Sequence, residues 1–217
     1  LIGRNYGNNL LNFMLGVIIS PYGVADFEFV NVHFRDFLKY NDGAGMVPVQ
    51  GAGVIGQGNV SGIFIYTDDF SIPSAAQTTL TSGLIDGCVF ENIQTVLGAG
   101  LIESDRIELD DGDGIRFLAD STNPLRYPVK IVNSTFHKVS KRAIKMSVAR
   151  GQHVENIHIF ADDLPYGMVS ALKVDNESYV KDVRIWASST KRVIITIQMQ
   201  GNANVTVDGI FVDFAKT

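Results

Sequence analysis

The chain has one cysteine, six prolines and one tryptophan in 217 residues. A single thiol, Cys88, cannot form an internal disulfide, and no group of His and Cys has the spacing of a zinc site. Cys88 lies in an apolar strand pattern and is expected to be inert core. Long hydrophobic runs are also missing. The most apolar stretch, Leu10 to Ile19 (LLNFMLGVII), is far shorter than the roughly 20 residues of a membrane-spanning helix. It has no basic leader and does not read as a signal peptide, so no membrane insertion is expected. Positive charge is in deficit, with 18 Lys and Arg against 23 Asp and Glu and a formal net charge of -5. That balance argues against nucleic acid as a partner, because phosphate recognition needs a basic field. There is no P-loop, no G-x-G-x-x-G between strand and helix, and no nucleophile elbow. The four histidines, His33, His137, His153 and His158, have no spacing that demands a metal. Sequons at Asn59, Asn133, Asn176 and Asn204 are too common by chance to carry weight. The first residue is Leu, and the chain is expected to be part of a longer protein.

A hydrophobic content of 46% with 19% charge describes a core-rich folded body. Its main regularity is a repeat of the form apolar, any, turn residue, apolar, any, apolar. It fits FVNVHF (29–34), VSGIFI (60–65), IDGCVF (85–90), IVNSTF (131–136), VENIHI (154–159), VKDVRI (180–185) and VDGIFV (207–212), with a degenerate copy expected at 102–107. The third position is Asn31, Gly62, Gly87, Asn133, Asn156, Asp182 or Gly209. These residue types tolerate a left-handed backbone, so each copy reads as strand, one-residue bend, strand.

Between the copies recurs a second strand, GIRF (114–117), AIKM (143–146), ALKV (171–174) and VIIT (193–196), anchored by Ile115, Ile144, Leu172 and Ile194. Two patterns sharing a period of about 25 residues predict an all-β fold, a parallel β-helix of about eight coils. It should occupy 27–217, with 1–26 as an N-terminal lead-in or cap. The interior is expected to hold Val32, Phe34, Phe90, Ile131, Phe136, Ile144, Ile157, Ile159, Leu172, Val183, Ile185 and Ile194. Asn133 and Asn156 should occupy equivalent bends in neighbouring coils.

On these motifs the chain resembles right-handed parallel β-helix proteins of the pectate-lyase-like superfamily, most of all phage tailspikes that degrade bacterial surface polysaccharides. The resemblance covers about residues 27–214. It implies an extracellular, virion-tail location, a homotrimer, and a polysaccharide ligand such as capsule or lipopolysaccharide. The same helix also hosts lyases and inert stalks, so a binding-only stalk or adhesin and a secreted lyase stay open.

Alternation along the second strand places Arg116, Lys145, Lys173 and Ile195 in one outward column, with Arg142 close by. The acidic cluster ELDDGDG (108–114) enters the same strand. Two carboxylates beside a saccharide groove are what glycoside hydrolysis needs, one as acid and one as base or nucleophile. Asp111 and Asp113 are the candidate catalytic pair, with Arg116, Arg142, Lys145 and Lys173 as substrate-binding cations. No cofactor is required. If the protein is a lyase, the same acids could hold Ca2+ with Lys or Arg as base; the plain alternative is an Asp- and Gly-rich turn. Polygalacturonase-type hydrolases on this fold carry DD, GHG and RIK motifs. Here Asp110–Asp111 and RAIK (142–145) stand without any GHG, so no role is carried over from them. A second outward column, His33 and Arg35, Phe64 and Tyr66, Val89 and Glu91, Thr135 and His137, His158 and Phe160, Arg184 and Trp186, Phe211 and Asp213, is expected to meet another subunit or a glycan.

Overall fold

A computed structural model describes residues 2–5, 14–19, 26–41, 47–49, 53–55, 60–66, 82–97, 112–118, 128–146, 151–161, 168–174, 177–188, 193–199 and 205–215. All regular structure among them is strand. A ten-stranded sheet contains β1 (Ile2–Asn5), β3 (Asp26–Val30), β4 (His33–Asn41), β8 (Ser82–Asp86), β9 (Val89–Leu97), β11 (Val129–Val132), β12 (Thr135–Val139), β14 (His153–Phe160), β16 (Tyr179–Ser188) and β18 (Thr206–Ala215). A six-stranded sheet runs in the order β17 (Val193–Met199), β15 (Met168–Val174), β13 (Arg142–Lys145), β10 (Gly112–Leu118), β7 (Val60–Tyr66), β2 (Met14–Ile19). β5 (Val47–Val49) and β6 (Gly53–Ile55) form a separate antiparallel pair. Every pairing in the two large sheets is parallel.

From β2 onward the chain visits the two sheets in turn, each visit stacking in parallel on the one before. This is an all-β parallel architecture compatible with a solenoid. β1 and β2, inside the segment read as a lead-in, pair with β4 and β7 and so extend the two sheets.

The bends explain why the ten-stranded sheet is folded rather than flat. Asn31, Gly87, Asn133, Asn156, Asp182 and Gly209 all have positive φ, between 50° and 70°. Asn133 and Asn156 are stacked neighbours as expected: Asn156 Nδ2 donates to Asn133 Oδ1 at 2.8 Å, and Asn133 Nδ2 donates to Asp86 Oδ1 at 2.8 Å. The side chain that permits the bend also links one rung to the next. A second bend follows five residues later in three rungs, at Asp36, Asn92 and Lys138, with φ of 60°, 57° and 53°.

The core lies between the sheets. Phe34, Phe90 and Phe136 are in register and fully buried, with ring planes within 5° of parallel and centroids 5.0 and 4.7 Å apart. The column continues through Ile159 and Ile185 to Val212. Small residues of the six-stranded sheet receive this stack. A Cβ on Gly62 would lie 2.8 Å from the Phe90 ring, and one on Gly114 would lie 2.7 Å from the Phe136 ring.

Of the expected interior residues, Phe34, Phe90, Ile131, Phe136, Ile144, Ile157, Ile159, Leu172, Val183 and Ile185 are fully buried, and Val32 packs partly buried against them. Three expectations are corrected. Leu172 pairs with Ile197, not Ile194, because Val193 to Ile197 offers apolar residues on both faces and alternation alone leaves its register open. VSGIFI is not a bend copy: Ser61 pairs with Asp113 and Ile63 with Ile115, so β7 belongs to the second strand family. The turns between positive-φ bends therefore consume 56, 46, 23, 26 and 27 residues. Residues 102–107 lie outside the described residues, but Ile85 stacks directly on Ile131 and Phe90 on Phe136, leaving no place for a rung between. The described strands make six bend rungs, with β1 beyond them, where about eight coils were expected.

Candidate functional site

The outer face of the six-stranded sheet gathers the cations. In β10 and β13 two successive positions turn into the core, Gly114–Ile115 and Ala143–Ile144. The residues flanking each pair, three apart, therefore emerge on the same outer side: Asp113 with Arg116, and Arg142 with Lys145. Register then builds two columns. One runs Ser61, Asp113, Arg142, Ser170, and the other Phe64, Arg116, Lys145, Lys173, Gln198. The expected order Arg116, Lys145, Lys173 is present; its fourth member is Gln198, not Ile195.

Four cations and one acid thus meet on one surface. Asp113 is fully buried, with Oδ2 3.5 Å from Arg116 Nη1 and Oδ1 3.8 Å from Arg142 Nη1. The Arg116 guanidinium lies 5.9 Å from the Phe64 ring centroid, which adds a cation–π contact. Lys145 and Lys173 are half-buried. Ser61 and Ser170 are fully buried, and neither hydroxyl has a hydrogen-bond partner; nor do Arg142 Nε and Nη1. A buried polar group left this way costs about 1–3 kcal/mol. Asp111, with Glu108 and Asp110, lies outside the described residues. Among the described residues no cluster of three or more His, Cys, Asp or Glu could hold a metal ion.

The bent sheet carries the second outward face. Register aligns His33, Val89, Thr135, His158, Arg184 and Phe211 in one column, and Arg35, Glu91, His137, Phe160, Trp186 and Asp213 in the next. Phe64 and Tyr66, expected here, belong to β7 in the other sheet. His137 and Phe160 lie 4.5 Å apart by ring centroid, and Phe160 and Trp186 stack at 4.5 Å with planes 6° apart. His158 meets Trp186 edge-on at 5.4 Å, and Arg184 lies 5.6 Å from the Phe211 centroid. Beside them Arg184, Ile185, Trp186 and Phe211 line a cleft of ≈ 250 Å3.

Ion pairs cross the rungs of this sheet. His33 Nε2 is 2.9 Å from Glu91, and Glu155 receives both His153 at 2.8 Å and Lys181 at 3.2 Å. Hydrogen bonds from His153 and Lys181 hold the Glu155 carboxyl below its ordinary value, and the bond to Glu155 holds the Lys181 ammonium above its own. Sequence pattern marked His33 and Glu91 as surface residues without revealing that they touch. Cys88 is buried, burial pushes its thiol up, and its Sγ donates to the Phe29 carbonyl at 3.3 Å. It is core, as expected.

No protein-family model matches the chain, and neither a curated protein nor a solved structure matches it. Fold and surface define an all-β molecule of stacked parallel strands, with a cationic outer face on one sheet and an aromatic one on the other.

Proposed function

We propose that the chain is a right-handed parallel β-helix of the pectate-lyase-like kind that binds an acidic polysaccharide of a bacterial surface, capsule or lipopolysaccharide. It would act outside the cell, in a virion tail, as a homotrimer of the tailspike type. One observation carries this reading: Arg116, Arg142, Lys145 and Lys173 share one outer face of the six-stranded sheet. A guanidinium edge suits a carboxylate, which takes two parallel hydrogen bonds from it. Three strands at about 4.8 Å spacing give a cationic track about 10 Å long, matching two or three sugar units.

Degradation by glycoside hydrolysis is the further step in this reading, with Asp111 and Asp113 as the catalytic pair. Its support is that Asp113 stands among the cations that would hold the sugar acids. Binding without turnover is favoured by a different observation, the complete burial of Asp113 between Arg116 and Arg142. A carboxylate so placed fixes two guanidiniums in position.

One assay separates these outcomes: glycan binding, reducing-end release and unsaturated-uronate absorbance, measured on a panel of bacterial capsules. Hydrolysis predicts reducing ends that fall at least about 100-fold in the Asp111→Asn, Asp113→Asn double variant while binding persists. Unsaturated uronate that requires Ca2+ would establish the lyase. Binding with no product from the parent protein would establish the stalk or adhesin. Acidic-glycan affinity that is unchanged by Lys145→Ala and Lys173→Ala would overturn the cationic groove itself.

A further inference from the structure

The excess of positive charge on the six-stranded sheet is shorter than the row of cations that makes it. Along the column that holds Arg116, register gives the order Ile18, Phe64, Arg116, Lys145, Lys173, Gln198. On β10 the Asp113 carboxylate, 3.5 Å from the Arg116 guanidinium, offsets its charge. β13 then adds two cations, Arg142 and Lys145, and β15 adds Lys173. Among the described residues of this face, the net charge therefore lies on two neighbouring rungs, about 4.8 Å apart. Both arginine side chains are only 11% exposed and share Asp113, so they are set into the surface rather than extended from it. Neither end prolongs the charge. Buried Phe64 and exposed Ile18 continue the column on one side, and half-buried Gln198 continues it on the other.

On the reading of this face as a glycan groove, we propose that it selects one acidic sugar flanked by neutral or N-acetylated ones, and discriminates against a run of consecutive uronates. Two rungs span about one sugar unit. A carboxylate seated there meets the charges of Arg142, Lys145 and Lys173. In one direction the next sugar faces Gln198, whose amide has both donors and an acceptor, the complement of a hydroxyl or an acetamido group. In the other direction it faces Arg116, already offset by Asp113, and then the apolar Phe64 and Ile18, which offer an anion nothing. Further carboxylates on the chain would lose water at these positions without gaining a counter-charge. That loss is what separates a heteropolymer with isolated acids from a homopolymer of them.

The test is isothermal titration calorimetry of the whole protein with tetrasaccharides of known sequence. Hyaluronan, heparosan and chondroitin fragments alternate a uronate with an N-acetylhexosamine; an oligogalacturonate has consecutive uronates, and chitotetraose has no acid. At least one alternating fragment is expected to bind at least about 10-fold tighter than the oligogalacturonate, with half as many carboxylates, and chitotetraose more weakly than either. Gln198→Lys carries the positive run to a third rung and should raise oligogalacturonate affinity at least about 10-fold, with a smaller change for the alternating fragment. A gain of this kind cannot come from a misfolded variant. Oligogalacturonate binding as tightly as the best alternating fragment, or an affinity ratio unmoved by Gln198→Lys, would overturn the selectivity while the groove stood. Chitotetraose binding as well as the acidic fragments would overturn it too. If no acidic tetrasaccharide binds, or if Lys145→Ala and Lys173→Ala leave binding unchanged, the groove itself fails and the selectivity with it.

Discussion

Glu155 shows how much of this surface is set by single side chains reaching across rungs. His153 reaches it from the same strand and Lys181 from the next. A carboxyl depressed in the folded state contributes stability above its unfolded value and loses it as pH falls through the folded one. Lys181 is raised, so its contribution is present below the unfolded lysine value and is lost as pH rises through the folded one. Thermal melts of Glu155→Gln should therefore lose part of the parent's decline in Tm between about pH 5 and pH 3. Identical pH dependence would show that the triad is inert. Asn133 is a sharper case, since its φ of 52° and its bonds to Asp86 and Asn156 coincide. Asn133→Ala should cost about 1–3 kcal/mol in denaturant unfolding, and Asn133→Gly less, because glycine keeps the backbone freedom. Such positions were legible because Asn, Asp and Gly alone enter the left-handed region cheaply. The bend at Lys138 was not, since lysine carries no such signature; the surrounding rungs impose its φ.

At the scale of elements, alternation located the strands well and their registers less well. The column Arg116, Lys145, Lys173 was readable because GIRF, AIKM and ALKV each have a single cation between apolar neighbours. β17 has apolar residues on both faces, so only its pairing with β15 decides that Ile197 follows Leu172. β7 departs from the bend pattern for a related reason: Gly62 resembles the bend glycines in sequence, yet it is glycine because the Phe90 ring leaves no room for a Cβ. Comparing GIFI at 62–65 with GIRF at 114–117 carries that signal. The burial of Asp113 was hidden, since the Asp- and Gly-rich composition of 108–114 reads as a turn, whereas β10 already begins at Gly112 and sets Asp113 between Ser61 and Arg142. The element-level test falls on the aromatic stack. Phe90→Ala, between Phe34 and Phe136, should cost about 3–5 kcal/mol, and Phe90→Leu distinctly less. Equal, small losses would mean that the stack contributes only area.

For the molecule as a whole, the described strands leave β17 and β18 each paired on one side only. Val212 occupies the core column yet is 37% exposed, and Met199 of β17 is 59% exposed. Unpaired strand edges and exposed core residues invite association, which proteins manage by covering them. The proposed homotrimer is tested by light scattering of the protein across a concentration series; a single monomeric mass at every concentration would count against it. The uneven turn lengths carry a consequence for how the chain acquires this structure. Stacking the rungs of Asn133, Asn156, Asp182 and Gly209 closes turns of 23, 26 and 27 residues, whereas the rungs before them must close 56 and 46. Loop-closure entropy makes the longest turn about 0.8 kcal/mol harder to close than the shortest. Rungs that close early offer a finished edge on which the next can form. Folding should therefore nucleate around β14 and β16 and spread toward β4, giving a vectorial order that runs against the direction of synthesis. Pulse-labelling hydrogen exchange during refolding would show protection at Ile157 and Val183 before Phe34; the reverse order would place the nucleus elsewhere.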